Sequence, residues 1–229
     1  MTPILPFAIA PVGRRIAAML CSIITLMGLP AQVRADVVTD WNLITLQAGG
    51  VAPSRTLAMV HIAMFDAVNS IERQYAPYHE LLDAPAGSSA EAAAAAAARG
   101  VLVRRFPAQQ AALDAALAAS VAGIPNGAAK SNGMALGDQV AAAIHALRST
   151  DNMLAANPPY FPLVGPGMYQ LTPPAFAAPI NTGASTWAPF VLTDAAQFRP
   201  NGPLSLKHPR YAEDLEEVRL LGSVGSAVR

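Results

Sequence analysis

The chain has 229 residues, of which 53% are hydrophobic and 13% are charged, and its formal net charge is 0. This composition supplies enough apolar material for a sizeable core and carries too little charge for a disordered chain. The neutral balance also lacks the basic footprint of a nucleic-acid-binding protein, so we expect no nucleic-acid partner.

The first 35 residues have the pattern of an export signal. Arg14 and Arg15 precede an uncharged apolar stretch, 16–33, and Val33-Arg34-Ala35 offers small residues at the usual cleavage offsets. Cleavage before Asp36 predicts a periplasmic or secreted protein with 12 basic and 15 acidic residues. The alternative is a retained membrane anchor.

Two details bear on that choice and on redox chemistry. The apolar stretch is at the short limit for spanning a bilayer, and Pro30 interrupts it near its end, so we expect no membrane contact after cleavage. Cys21 is the only cysteine and lies inside the signal. The processed chain would therefore have no disulfide, thiolate nucleophile or cysteine-bound metal.

Residues 36–150 carry apolar side chains at intervals of three and four, and no strand pattern of useful length is present. We therefore predict an all-α fold, an antiparallel helical bundle. The first two predicted helices are a short one over 36–47 and a long one opened by Pro53-Ser54. An alanine-rich helix follows, capped by Ser88 or Ser89 and ending near Phe106-Pro107. The last two are one that begins at Pro107 and one that follows a break at 124–127 and ends near Arg148.

Periodicity also predicts which faces are buried. On the long helix, the predicted apolar face consists of Leu57, Val60, His61, Met64, Phe65, Val68 and Ile71. On the last helix of this region, Leu136, Val140, Ile144 and Leu147 form the predicted stripe. Gly133 and Gly137 lie one turn apart on that helix and predict a close approach of a neighbouring helix.

The chain changes character over 151–206, where ten of its twenty prolines fall and no helical period survives. One interpretation is a linker. The other, which we favour because disordered linkers are poor in aromatic residues, is an ordered loop held by its aromatic side chains. These are Tyr160, Phe161, Tyr169, Phe176, Trp187, Phe190 and Phe198.

A further helix is predicted from Pro209, ending at Gly222. Its apolar stripe consists of Tyr211, Leu215, Val218 and Leu221, and acidic residues lie on the other side. We expect this stripe to leave an exposed apolar face of several hundred Å², which is larger than most monomers tolerate. The predicted organisation is thus a signal peptide (1–35), a helical bundle (36–150), a Pro-rich ordered loop (151–206) and the truncated start of a further helical segment (207–229).

Few residues suggest chemistry. His61 and Asp66 are five apart, so a helix places them on different faces, and we expect His61 to be packed and hydrogen-bonded rather than catalytic. Asp66, Asn69 and Arg73 share a second face, with Arg55 at the helix start, a pattern that favours hydrogen bonding between helices.

The remaining candidates carry little signal. His145 lies near a helix C-terminus, where a cation is mildly favourable. The acidic run from Glu213 to Glu217 indicates a solvated face, and no Glu-x-x-His pair, serine elbow or Gly-rich phosphate loop is present in the sequence. We therefore assign no catalytic, cofactor-binding or metal-binding residue.

Three segments, in their order and spacing, resemble the N-terminal half of bacterial vanadium-dependent haloperoxidases and phosphatidic acid phosphatase-related proteins, the PAP2 superfamily. They are 55–73 with Tyr75-Ala-Pro-Tyr78, then Trp187-Ala-Pro-Phe190-Val-Leu with Gln197-Phe-Arg-Pro200-Asn-Gly-Pro203, and then 211–222. Each segment alone is weak, but the ordered set is fairly specific and spans most of the chain after the signal.

The resemblance implies a helical exported enzyme in which a lysine and arginines of the C-terminal half hold phosphate or vanadate, and histidines assist the chemistry. Its signature segments are Lys-x6-Arg-Pro, Pro-Ser-Gly-His and Ser-Arg-x5-His, and none occurs here. The only Arg-Pro pair is Arg199-Pro200, and Leu192 stands where the lysine would be.

We therefore expect this chain to be the N-terminal scaffold part of such an enzyme, inactive alone, with vanadate or phosphate bound only by a full-length relative. The missing C-terminal half or a homo-oligomer is expected to cover the exposed apolar face. The alternative is a non-catalytic exported helical binding or scaffold module.

Overall fold

The computed structural model describes residues 36–50, 53–222, 224–226 and 228, so the predicted export signal lies outside the described residues. Within them the fold is all-α and contains no strand, which confirms the predicted fold class. The six helices are α1 (Val37–Ala48), α2 (Pro53–Glu72), α3 (Ala90–Arg105), α4 (Gln110–Ser120), α5 (Ala128–Leu147) and α6 (Pro209–Leu221). Short 3₁₀ turns lie at Pro107–Gln109 and Ala184–Thr186.

The predicted cap at Ser89 and the predicted helix end at Gly222 are confirmed, and Asp36 and Gly49 cap the first helix. The Asp36 carboxylate accepts a hydrogen bond from the Thr39 amide at the start of α1, and the Ser89 hydroxyl accepts one from the Ala92 amide at the start of α3. Gly49, with φ of +71°, ends α1, and Gly222 ends α6. These caps satisfy amide and carbonyl groups that a helix end would otherwise leave unpaired.

The alanine-rich helix α3 is the centre of the bundle. All seven alanines from Ala92 to Ala98 are buried, and α3 packs against α1, α2, α4 and α5. Alanine makes this possible because its short side chain lets several helix axes approach at once. The predicted bundle therefore has a thin, alanine-based core, supplemented by large side chains such as Trp41 and Leu102.

The two predicted glycines mark the tightest helix contact. A methyl group on Gly133 would clash with the carbonyl oxygen of Ser89, and one on Gly137 would clash with that of Ala93. Gly133 faces Ser89 and Gly137 faces Ala93, so α3 and α5 run in the same direction, and this pair of the predicted antiparallel bundle is parallel. The predicted close approach is confirmed, and its partner is α3.

The buried face of α2 differs from the predicted one. Phe65 is 40% exposed, and His61 is only partly buried. The fully buried face instead carries polar side chains among the apolar ones: Arg55, Thr56, Met59, Val60, Ala63, Met64, Asp66, Ala67, Asn69 and Ser70. The predicted face was therefore wrong: the buried face is rotated around the axis of α2 relative to it. The pattern of apolar residues cannot indicate polar side chains that are buried with hydrogen-bond partners.

Beyond α5 the chain forms a long irregular segment and then α6. Of the loop aromatics, Trp187 and Phe190 are partly buried, whereas Phe161 and Phe198 are more than three-quarters exposed, so most of these rings do not anchor the loop as predicted. Helix α6 makes no extensive contact with another described helix, and Leu215 and Val218 are exposed. No helix in the described part of the chain is long and apolar enough to cross a membrane.

Candidate functional site

The largest set of buried polar groups lies where α2 begins and α5 ends. Arg55, in the first turn of α2, donates from Nε to the Asp151 carboxylate at 2.8 Å and from Nη2 to the Arg148 carbonyl oxygen at 2.8 Å. Arg55 is 8% exposed and Asp151 is 4% exposed. A pair this buried is stable only because both partners are present, since either charge alone would be costly to desolvate. Arg55 therefore fixes the position of the chain as it leaves α5.

Arg148 holds the distant loop against the same end of the bundle. Its Nη1 donates to the carbonyl oxygens of Ala188 at 3.2 Å and Pro189 at 3.1 Å, and its guanidinium lies 3.9 Å from the centre of the Phe190 ring. Its Nη2 also donates to the Tyr78 hydroxyl, which in turn donates to the Phe190 carbonyl oxygen at 2.6 Å. We call this set, comprising Tyr78, Arg148 and Ala188–Pro189–Phe190, the loop clasp.

A cavity of about 510 Å³ lies between the start of α2 and the loop. The bundle contributes Ser54, Arg55, Ala58, Asp151 and Met153 to its lining, and the loop contributes Ala184, Trp187, Ala188, Pro189, Phe190, Leu192 and Ala195. Its walls are largely apolar, and its charged groups are the buried Arg55–Asp151 pair. The loop clasp holds three of the twelve lining residues, Ala188, Pro189 and Phe190, so the loop side of the cavity depends on it.

Asp66 organises a second junction at the other end of α2. Its fully buried carboxylate accepts hydrogen bonds from the backbone amides of Tyr78 at 2.7 Å, His79 at 2.9 Å and Glu80 at 3.0 Å. Asn69 does the same for Gln74 and Tyr75 through its side-chain oxygen. These side chains were predicted to join helices, but their partners lie in the loop that follows α2.

His145 lies among arginines at the end of α5. Burial lowers the pKa of His145, and the charges of Arg104, Arg105 and Arg55 lower it further. Its Nδ1 is buried and has no hydrogen-bond partner among the described residues. A helix C-terminus favours a cation at His145, but burial and the neighbouring arginines favour the neutral imidazole.

The other candidates have structural partners. His61 Nε2 lies 3.0 Å from Asn42 Oδ1 and so bridges α1 and α2, as expected of a hydrogen-bonded histidine. The acidic residues of α6 are exposed, and Arg219 pairs with Glu216 at 2.5 Å. No group of three His, Cys, Asp or Glu residues that could hold a metal occurs in the described ranges.

A second cavity, about 680 Å³, opens between α1, the start of α3 and α4. Its lining includes the acidic residues Asp36, Asp40 and Glu91 and apolar residues such as Leu43 and Ile44. The structure shows no buried charged side chain in its lining, in contrast to the cavity beside Arg55.

Comparisons of the chain with protein-family models, with curated proteins and with solved structures give no match.

Sequence reasoning named Arg55 but missed its partner. Asp151 is 96 residues away and lies in the segment where periodicity ends, so no local spacing connects the two. Arg148 was named only as the end of α5. The feature of the sequence that pointed to this site was the density of aromatic and proline residues around Phe190. It indicated an ordered loop but not the arginine that holds the loop.

Proposed function

We propose that this chain is the helical scaffold part of an exported phosphatase-like or vanadium haloperoxidase-like enzyme, and that the residues which bind phosphate or vanadate belong to a further helical unit. The proposal starts from the ordered resemblance of three segments. The first covers α2 and Tyr78, the second covers the loop residues 188–190 that Arg148 holds, and the third covers α6.

The observation that carries the scaffold role is the uncovered face of α6. Leu215 is 58% exposed and Val218 is 66% exposed, and α6 makes no extensive contact with the described bundle helices. Contiguous exposed apolar surface of this kind is typical of a site that another protein surface covers. A helical unit packed on this stripe would be connected to the bundle through residues 191–208.

The buried polar junctions fit a positional role. Asp66, Asn69 and Ser70 accept hydrogen bonds from backbone amides of the loop that follows α2. Arg55 donates to Asp151, and Arg148 donates to carbonyl oxygens of the distant loop. Such groups order long irregular segments that would otherwise cost conformational entropy to fix. In this proposal the ordered segments form the surface on which the anion-binding unit packs.

The experiment uses the processed chain, residues 36–229, purified and assayed for three properties. We expect no hydrolysis of a phosphate monoester, no vanadate-dependent bromide oxidation, and no tight orthovanadate binding by ⁵¹V NMR. Any of these activities at an ordinary enzymatic rate would refute the assignment of the chemistry to another unit.

A second measurement tests the scaffold role itself. The DNA that follows the Arg229 codon should encode Lys-x6-Arg-Pro and Pro-Ser-Gly-His segments, in frame or one frameshift away. If it does, the encoded segment expressed in trans should bind this chain, and Leu215→Asp should abolish the binding.

The alternative is a non-catalytic exported helical binding module. The observation that favours it is the cavity beside Arg55, which combines apolar walls with a charged floor. Absence of those coding segments together with ligand binding in the cavity would favour this alternative.

A further inference from the structure

A proline-rich, extended segment, 156–164, lies on the surface of the protein. It contains Pro158, Pro159 and Pro162. A proline ring fixes its own φ at about −65° and keeps the preceding residue out of helical backbone angles. Accordingly, the backbone over 156–164 forms no helix or turn, and none of its residues has a positive φ. These constraints favour a polyproline II helix, which is left-handed and has three residues per turn.

A period of three places the side chains of this segment on three edges. Pro159 and Pro162 share one edge, and both are exposed. Phe161 and Val164 share the next edge, and they are 78% and 97% exposed. Tyr160 lies on the third edge and is the least exposed of the large apolar side chains in the segment. Two of the three edges are therefore free for a partner.

The third edge is the one that the protein holds. The Tyr160 ring packs edge-on against the Tyr169 ring, with 5.9 Å between the ring centres. Next to it, the Thr182 hydroxyl donates to the Pro158 carbonyl oxygen at 2.5 Å. A segment that is ordered before binding costs a partner less conformational entropy than a free peptide would.

The backbone between these contacts is also free. Among the described residues, the amides of Tyr160 and Phe161 and the carbonyl oxygens of 159–162 have no hydrogen-bond partner. The sequence carries no charged residue from 152 to 193. A partner of this segment would thus be recognised through proline rings, apolar side chains and carbonyl oxygens, without ion pairs.

We propose that the segment 158–164 is a docking site for a protein partner whose groove is lined by uncharged aromatic side chains. Such grooves bind Pro-x-x-Pro segments in the polyproline II conformation. Pro159 and Pro162 have this spacing and enter the groove, while Phe161 and Val164 add apolar contact beside it. Pairing with the edge of a β-sheet is disfavoured, because each proline lacks the N–H group that a strand would donate. This inference does not depend on the proposed scaffold function.

The test titrates the processed chain, residues 36–229, with isolated SH3, WW and EVH1 domains, which are the probes for such grooves. Calorimetry should show that at least one of these domains binds with one site per chain, and added salt should leave the affinity unchanged. We expect the double variant Pro159→Ala, Pro162→Ala to bind about tenfold more weakly or worse. Alanine neither fixes the backbone nor fills a groove between aromatic rings.

A second Pro-x-x-Pro sequence provides the matched control. Pro200 and Pro203 have the same spacing and are also exposed, but Asn201 and Gly202 between them carry no apolar side chain. The double variant Pro200→Ala, Pro203→Ala should therefore bind the domain as the parent does. Equal urea midpoints for both double variants would show that the bundle is intact in each.

Three outcomes would overturn the proposal. The first is that no domain binds the parent, and the second is that the control variant loses as much affinity as Pro159→Ala, Pro162→Ala. The third is that Pro159→Ala, Pro162→Ala binds as tightly as the parent or more tightly, which would indicate strand pairing through the two restored amides. None of these outcomes bears on the phosphatase and orthovanadate assays of the proposed function, so the two proposals fail separately.

Discussion

Asp66 shows how a single buried carboxylate can order a loop. It is fully buried and accepts three backbone amides from Tyr78, His79 and Glu80. Hydrogen bonds to a charged acceptor are stronger than neutral ones, and backbone amides leave no trace in the sequence because every residue except proline carries one. The sequence could therefore identify Asp66 as unusual on its helix but not identify its partners.

We expect Asp66→Asn to destabilise the fold although the side chain keeps its shape. An amide offers one acceptor oxygen in place of two and points an NH₂ group at backbone amides, which leaves donors unsatisfied. The expected loss is about 2–3 kcal/mol in the free energy of unfolding, measured by urea denaturation. Asp83→Asn serves as the control because Asp83 is fully exposed and pairs only at the surface with Arg73.

If Asp66→Asn and Asp83→Asn had the same urea midpoint, the carboxylate at position 66 would not be holding the loop. The m-value distinguishes this case from partial unfolding. A lower m-value in Asp66→Asn would show that the 74–82 segment had already left the native state.

His145 gives the fold a pH response with a definite sign. Burial, and then the charges of Arg104, Arg105 and Arg55, hold the pKa of His145 below its ordinary value of 6.5. The unfolded chain therefore binds more protons than the folded one just below pH 6.5. The contribution of His145 to stability is therefore complete above pH 6.5. It is lost as the pH falls from 6.5 through the lowered pKa of the folded state.

We expect His145→Gln to reduce the loss of stability between pH 7.5 and pH 5.5. Urea midpoints at the two pH values, for the parent and the variant, measure the change directly. A loss in His145→Gln as large as in the parent would place the pH response on another group. The comparison uses the difference between two pH values, so any pH-independent effect of the glutamine cancels.

At the scale of elements, the contact between α3 and α5 depends on two glycines. A methyl group on Gly137 would clash with the Ala93 carbonyl oxygen and lie 2.8 Å from the Ala97 amide nitrogen. Both obstacles are backbone atoms, which cannot move aside without displacing α3. The close packing of these parallel helices is therefore built into the sequence at Gly133 and Gly137.

Gly137→Ala should destabilise the fold, although alanine is the better helix former by about 1 kcal/mol. We expect a net loss of about 2 kcal/mol in the free energy of unfolding, because overpacking outweighs the propensity gain. Gly202→Ala is the control, since a methyl group there meets no atom within 4 Å. A Gly137→Ala variant as stable as the parent would mean that α3 and α5 can separate at little cost.

The elements differ in how far the sequence specifies them. The helix ends at Ser89 and Gly222 were predictable because capping chemistry is local. The orientation of α2 was not, because its buried face carries Arg55, Asp66 and Asn69 with partners elsewhere in the chain. The central place of α3 was also hidden, because seven successive alanines present the same surface on every side and define no face.

The candidate site shows the same limit. Arg55 and Asp151 are 96 residues apart, and Arg148 holds Ala188 and Pro189 from 40 and 41 residues away. Side-chain to backbone contacts at such separations depend on the tertiary fold and have no periodicity. Composition indicated an ordered segment around Phe190, whereas the arginine that orders it is brought there only by the tertiary fold.

For the whole molecule, the loop clasp divides the chain into a part that contributes to the bundle and a part that does not. The loop up to Phe190 contacts Arg148, Asp151 and Tyr78. Helix α6, by contrast, exposes Leu215 and Val218 and makes no extensive contact with another described helix. Stability is therefore expected to depend on the loop clasp and to be largely independent of α6.

Shortening the chain tests this division. A chain of residues 36–203 keeps the loop clasp and should match the unfolding free energy of 36–229 to within about 0.5 kcal/mol, because no buried contact is removed. A chain of residues 36–153 loses the acceptors of Arg148 and should be less stable by about 2–4 kcal/mol, since a buried guanidinium would lose its partners. Urea denaturation followed by circular dichroism measures all three chains.

The same three chains separate stability from association. If the exposed stripe of α6 is the surface that binds a further unit or a second copy, self-association in sedimentation should be strongest in 36–229 and weak in 36–203, although both have equal stability. A large loss of stability in 36–203 would instead mean that α6 packs on the bundle in solution. The uncovered face would then be part of the core, and the scaffold role that rests on it would lose its support.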